Sequence, residues 1–164
     1  MTDTPHTGGC QCGAVRFRAA ALGDNPHVCY CRMCQKAVGN LFAALVGVRG
    51  ADLTWTRGMP ATFRSSVHVE RGFCRDCGTP LFYRYESADG GASLCIGAFD
   101  EPQRIVIRYQ MGMEGKHPSL THLDAIEQTG TTESAMADEV EEIRLTSRQH
   151  PDHDTSVWPP ESRS

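Results

Sequence analysis

Along much of the chain apolar and polar residues alternate in steps of two, the mark of strands with one buried face. AVRFR (14–18) puts Val15 and Phe17 inside and leaves Arg16 and Arg18 outside. DLTWT (52–56) alternates Leu53 and Trp55 with polar residues. LFYRYE (81–86) aligns Leu81, Tyr83 and Tyr85, and RIVIRYQ (104–110) aligns Ile105, Ile107 and Tyr109. LFAALVGV (41–48) is apolar almost throughout and reads as a strand buried on both faces. Gly50, Gly58-Met59-Pro60 and Asp89-Gly90-Gly91 punctuate these runs as turns. Short strands at this spacing predict an antiparallel β domain.

Two stretches read as helices. RMCQKAV (32–38) is stopped by Gly39, a good residue just past a helix end. ESAMADEVEEIR (133–144) gathers Met136, Val140 and Ile143 on one face, with Thr132 as N-cap and Glu133 in the first turn. This helix is expected to pack on the β domain as an appendage. From about His150 the chain, with Pro151, Pro159 and Pro160, reads as irregular tail.

Composition narrows the class. The 164 residues are 40% hydrophobic and 22% charged, which suits one globular core, and 16 glycines with nine prolines suit a turn-rich β chain. We expect a β domain over residues 5–125 and an acidic C-terminal appendage and tail over 126–164. Residues 126–164 hold nine acids and three arginines, net −6; residues 1–125 hold 13 bases and 11 acids, net +2. No basic run is present, so no nucleic-acid partner is expected. The longest apolar run, Leu41 to Val48, is far short of the ~20 residues a spanning helix needs, so no membrane role is expected. MTDTPHTGG has neither the basic start nor the apolar stretch of a signal peptide, and the expected compartment is the cytoplasm, where thiols stay reduced.

The eight cysteines carry the chemistry. Cys10 and Cys12 form a Cys-x-Cys pair; Cys29, Cys31 and Cys34 form a triad; Cys74 and Cys77 form a Cys-x-x-Cys pair; Cys95 stands alone. Tight pairs suit a metal because neighbouring backbone aims two thiolates at one ion. A disulfide framework is the rival, weakened by the length of the chain and the reducing compartment. Two pairs close one site, Cys10, Cys12, Cys74 and Cys77, and leave three thiolates for a second ion with one open position, the arrangement of catalytic zinc. Two alternatives stay open. The triad could be closed by Cys95 or a histidine. Cys31, Cys34, Cys74 and Cys77 could also form one site, although the 39 residues between its halves exceed the usual ~15–20.

GGCQCGAVRF (8–17), CYCRMCQKAVG (29–39), RGFCRDCGTPLF (71–82) and GAFDEP (97–102), in that order, resemble the glutathione-dependent formaldehyde-activating enzyme family, which also includes centromere protein V. The match runs over roughly residues 8 to 110. The resemblance implies a mainly β fold, a β-tent of antiparallel sheets around two zinc ions. It assigns Cys10, Cys12, Cys74 and Cys77 to a structural zinc and Cys29, Cys31 and Cys34 to a catalytic one. Two positions depart from the family pattern. Tyr30 stands where a histidine is common, which alters the hydrogen bonding behind the triad. Cys95 stands where a small apolar residue is common and reads as a buried, hydrophobe-like thiol.

The activity the resemblance implies is that of a carbon–sulfur lyase joining glutathione to formaldehyde. A free thiol near pKa 8.5 is mostly protonated at neutral pH, and zinc with an open site binds it as thiolate. Three cysteinates give the zinc site a net charge of about −1 and a fourth thiolate about −2, which favours thiol delivery over carbonyl activation. Glutathione carries two carboxylates, and Arg32, Lys36, Arg71 and Arg75 flank the cysteine motifs as candidate contacts, although each taken singly reads as solvated surface charge. His27 lies two residues before the triad; HPDHD (150–154) resembles a metal site only superficially. The alternative is a non-enzymatic zinc module that binds a protein partner, and a homodimer is compatible with either reading.

Overall fold

The computed structural model describes residues 4–136 and 139–159. Ten strands form two sheets. They are β1 (His6–Gly9), β2 (Arg16–Ala19), β3 (His27–Cys29), β4 (Ala43–Val48), β5 (Leu53–Arg57), β6 (Ala61–Arg64), β7 (Val69–Phe73), β8 (Pro80–Tyr85), β9 (Ala92–Cys95) and β10 (Tyr109–Met111). The small sheet runs β1-β2-β5, and the large one runs β10-β3-β4-β9-β8-β7-β6. All named pairs are antiparallel except β10 with β3, which is parallel. The architecture is a β-rich fold with short helices, α1 (Arg32–Val38), α2 (Thr132–Ala135) and α3 (Val140–Thr146). Among the described residues no helix is long and apolar enough to cross a membrane.

The core lies between the sheets. Phe17 of the small sheet meets Trp55 and Phe99 edge to face, and Val46 and Leu94 of the large sheet are fully buried in the same cluster. β4 sits centrally between β3 and β9, as its continuous apolar run predicts. α1 spans the predicted residues; Gly39 adopts the left-handed conformation at its end and donates its N–H to the Gln35 carbonyl.

Four expectations are corrected. Residues 104–108 are not strand: a 3-10 turn covers Pro102–Arg104 and pairing begins only at Tyr109, because Ile105 turns into the core while Ile107 and Tyr109 stay exposed. In β8, Leu81 and Phe82 are both buried and Tyr85 is exposed, since the register with β7 shifts between Gly72 and Phe73. The predicted helix over 133–144 gives way to α2 and α3, with residues 137 and 138 outside those described; Thr131, not Thr132, caps α2 by accepting from the Ser134 N–H. Ile143 is exposed, so this apolar face does not dock on the domain; helices this short gain too little from their own hydrogen bonds to hold one continuous face.

The fourth correction concerns Arg16. Strand alternation places it outside, yet its side chain is only 3% exposed. Its guanidinium donates to both Asp100 oxygens, at 2.8 and 2.5 Å, and to Asp154 Oδ1. The outer face of β2 is therefore covered, by the Asp100 loop and by the C-terminal segment. Among the described residues 150–159 that segment has no helix or strand, but it is not loose. The His150 N–H donates to the Gln11 carbonyl, its ring lies between Arg57 and Thr155, and the Trp158 indole N–H donates to the Cys12 carbonyl.

Burial alone would raise the Asp100 pKa, but the bidentate Arg16 pair and the Thr7 hydroxyl outweigh it and hold the carboxyl below its usual range. A carboxylate depressed in the folded state adds stability that is present above its unfolded value, about 4, and lost as pH falls through the folded one. The stability gap between the parent and Asp100→Asn is thus expected to be widest above about pH 5 and to narrow progressively as pH falls below about 4. Thermal unfolding across that range checks this; a gap unchanged at pH 3 contradicts it.

Candidate metal centres and the adjoining cavity

Two turns of similar design build the first cluster. After Cys10-Gln11-Cys12 the chain turns at Gly13, and after Cys74-Arg75-Asp76-Cys77 it turns at Gly78. Both glycines have positive φ, +75° and +77°, which side chains resist. Each donates its N–H back to the first cysteine of its pair, Gly13 to the Cys10 carbonyl and Gly78 to the Cys74 carbonyl. Thr79 joins the two turns: its hydroxyl accepts from the Gln11 N–H at 3.0 Å and lies 3.1 Å from Cys77 Sγ.

The four sulfurs lie within 4.8 Å of one another. Cys10 and Cys12 Sγ are 3.6 Å apart and Cys12 and Cys74 Sγ 3.7 Å. A disulfide needs ~2.05 Å. A tetrahedron with metal–sulfur bonds of ~2.3 Å has edges of about 3.8 Å, so the donor set suits a zinc-sized ion. The Val15 N–H donates to Cys10 Sγ at 3.2 Å, a bond that favours thiolate. Burial pushes Cys10 and Cys12 up, whereas the Thr79 hydroxyl and backbone N–H outweigh burial at Cys77 and bring it down to about 6.

The second cluster is Cys29, Cys31 and Cys34, whose sulfurs also lie within 4.8 Å of one another. Cys29 ends β3, Cys31 is the N-cap of α1, and Cys34 sits in its first turn. Extended backbone puts Cys29 and Cys31 on one side, and the helical turn brings Cys34 beneath Cys31. Burial raises Cys29 to about 12. At Cys31 burial is outweighed by the backbone N–H groups of Cys34 and Met33, and its pKa falls below the ordinary value. Among the described residues these two clusters are the groups of three or more metal-ligand side chains close enough to share an ion, and HPDHD forms none.

Tyr30, between two triad cysteines, points its hydroxyl to Gln110 Oε1 at 2.9 Å, and Lys116 lies over its ring. His27 pairs its ring with the Asn25 carbonyl.

A cavity of about 620 Å³ adjoins the triad. Its floor is one face of the large sheet and its roof is α1, which contributes Arg32, Met33 and Lys36. On the sheet, Phe63 of β6 lies opposite Arg71 of β7, and Arg71 opposite Tyr83 of β8, so the three share a face. Arg71 reaches from the cavity to the triad: its Nη2 is 3.7 Å from Cys34 Sγ and its guanidinium lies over the Tyr83 ring. Three of the four cations singled out in the sequence, Arg32, Lys36 and Arg71, thus line one space, while Arg75 is exposed and does not line it. Cys95, expected to be buried, is only partly so: it lines this space and packs against the cluster of Cys34, Ala43 and Leu45, and burial raises its thiol to about 12. Sequence reasoning missed Thr79 and Asp100. Both stand inside recognisable motif blocks, but nothing in the one-dimensional pattern tells what they touch.

Residues 5–113 match the family model described as glutathione-dependent formaldehyde-activating enzyme. An uncharacterized lyase of Schizosaccharomyces pombe is 26% identical over 111 residues, 68% of this chain and 80% of that protein. A putative glutathione-dependent formaldehyde-activating enzyme of Halomonas elongata is 32% identical over 83 residues, 46% of this chain and 53% of that protein. A crystal structure of a Rhodobacter sphaeroides protein superposes with a TM-score of 0.47 at 23% identity, covering 56% of this chain and 85% of the other.

Proposed function

The chain belongs to the glutathione-dependent formaldehyde-activating enzyme family, and from that premise we propose that it is a zinc-dependent carbon–sulfur lyase joining glutathione, or a related thiol, to a small aldehyde. The observation that carries this reading is the cysteine triad set beside a cavity whose Arg71 lies within reach of both. Cys10, Cys12, Cys74 and Cys77 hold a structural zinc in this reading, and Cys29, Cys31 and Cys34 hold a second. Bound to these three thiolates, the second ion would leave a position open and would favour the thiolate form of a substrate thiol.

The chain's own residues do the rest. Arg32, Lys36 and Arg71 offer cations to the thiol's carboxylates, and Arg71 can make a bidentate contact. Arg71 lies beside Cys34, so binding a carboxylate there fixes how far the thiol extends toward the triad. The apolar part of the lining holds the aldehyde beside the sulfur, a proximity gain. In the forward direction the sulfur–hydrogen bond breaks, a carbon–sulfur bond forms at the carbonyl carbon, and the carbonyl oxygen takes up one proton; nothing is oxidised or reduced. Water reaching the open cavity mouth delivers that proton.

The test is a variant of the half-buried Cys29. Cys29→Ser is expected to keep a cooperative fold, to drop bound zinc from two per chain to one, and to lose the glutathione-induced change in the visible spectrum of the cobalt-substituted protein. A variant that unfolds as completely as one in the four-cysteine cluster makes the triad structural and leaves the interaction-module reading. A cobalt-substituted parent protein whose spectrum glutathione leaves unchanged removes the thiol substrate.

A further inference from the structure

The cavity combines grouped cations with a broad apolar lining. Its volume of about 620 Å³ lies within the ~300–1,000 Å³ of small-molecule sites and leaves room for a thiol adduct with more than one aldehyde-derived carbon. Its cations are grouped: Arg32 and Lys36 on α1 face Arg71 across the space. The rest of the lining is largely apolar and includes Met33, Phe63, Phe73, Pro80 and Leu45. A peptide-like thiol is polar along its whole length, whereas besides the cations this lining offers only the hydroxyls of Ser65 and Tyr83 and the weak thiol of Cys95, so most of it suits an apolar group.

Phe63 is the residue that does not fit a packing role. It lies on β6, the edge strand of the large sheet, and is 62% exposed, yet it lines the cavity directly opposite Arg71 in the β6–β7 register. An aromatic ring held at a cavity mouth next to a carboxylate-reading arginine presents an apolar platform contiguous with the charged one. Met33, 54% exposed on α1, lines the same cavity from the roof.

Resting on the reading above, we infer that the aldehyde-derived half of the substrate is itself apolar and several carbons long, lying on Phe63, Phe73 and Met33 while the thiol's carboxylates engage Arg32, Lys36 and Arg71. The preferred conjugate is then a glutathione-type thiol carrying an alkyl or aromatic hydroxy-substituted carbon, not the one-carbon adduct.

Non-reacting thioethers test this by binding alone. Calorimetric titration of the zinc-loaded protein with S-methyl-, S-butyl- and S-hexylglutathione is expected to show affinity rising at least tenfold from methyl to hexyl. Phe63→Ser, at an exposed edge position that does not threaten the fold, is expected to flatten that rise. Lys36→Ala should weaken all three by the same factor. If glutathione and S-methylglutathione bind but the longer chains bind no better, the apolar-aldehyde inference is overturned and the thiol reading stands. If neither glutathione nor any conjugate binds, both fall.

Discussion

Cys74→Ser is expected to abolish the folded domain. Its thiol is almost fully buried, and the sulfur sits 3.7 Å from Cys12 Sγ in a cluster that joins β1–β2 to β7–β8. Structural zinc contributes about 10–16 kcal/mol in small zinc domains at neutral pH, whereas a domain's whole net stability is about 5–15 kcal/mol. In the proposed reading, in which these four thiolates hold a structural zinc, a serine oxygen is a poor replacement for a soft thiolate and most of that contribution goes. Circular dichroism and metal analysis of the purified variant should show loss of cooperative unfolding and of both ions, and chelation should unfold the parent in the same way. A Cys74→Ser protein that unfolds cooperatively near the parent's midpoint would falsify the structural role.

Arg16→Met should cost about 3–5 kcal/mol, since it leaves the Asp100 carboxylate buried without its cation. For a chain of this size that lowers the thermal midpoint by roughly 6–20 °C. Asp154, half exposed, loses the same partner at little cost because water replaces it. The double variant Arg16→Met, Asp100→Leu removes both charges and is expected to be more stable than Arg16→Met alone, because an apolar pair of similar volume avoids the desolvation cost of the ions. A single variant within 1 kcal/mol of the parent, measured by denaturant titration, means that water already reaches Asp100.

The cysteine spacing announced two metal-type clusters, and the coordinates bring the same seven sulfurs together in the same two groups. Local rules were enough for that. A Cys-x-Cys or Cys-x-x-Cys followed by glycine is a turn that converges its own sulfurs, and the alternation in β5 and the cap at Gly39 are likewise set by neighbours in the chain. The same alternation misread Arg16 because it detects that a strand has two faces, not what covers each. The Asp100 loop and the C-terminal segment that cover it arrive from 84 and 138 residues away. RIVIRYQ misled for a related reason: alternation holds there, but the β3 edge offers pairing only to Tyr109–Met111.

What the sequence determined by itself is therefore the local chemistry: which residues can bind an ion, where short turns aim them, and the family to which their order belongs. The tertiary structure decided which pairs meet and what stands beside them. Strand register places Phe63, Arg71 and Tyr83 of three successive strands on one face, and α1, from earlier in the chain, closes a cavity over them. Register is fixed by burial summed over a whole sheet, and no short window of sequence contains that sum.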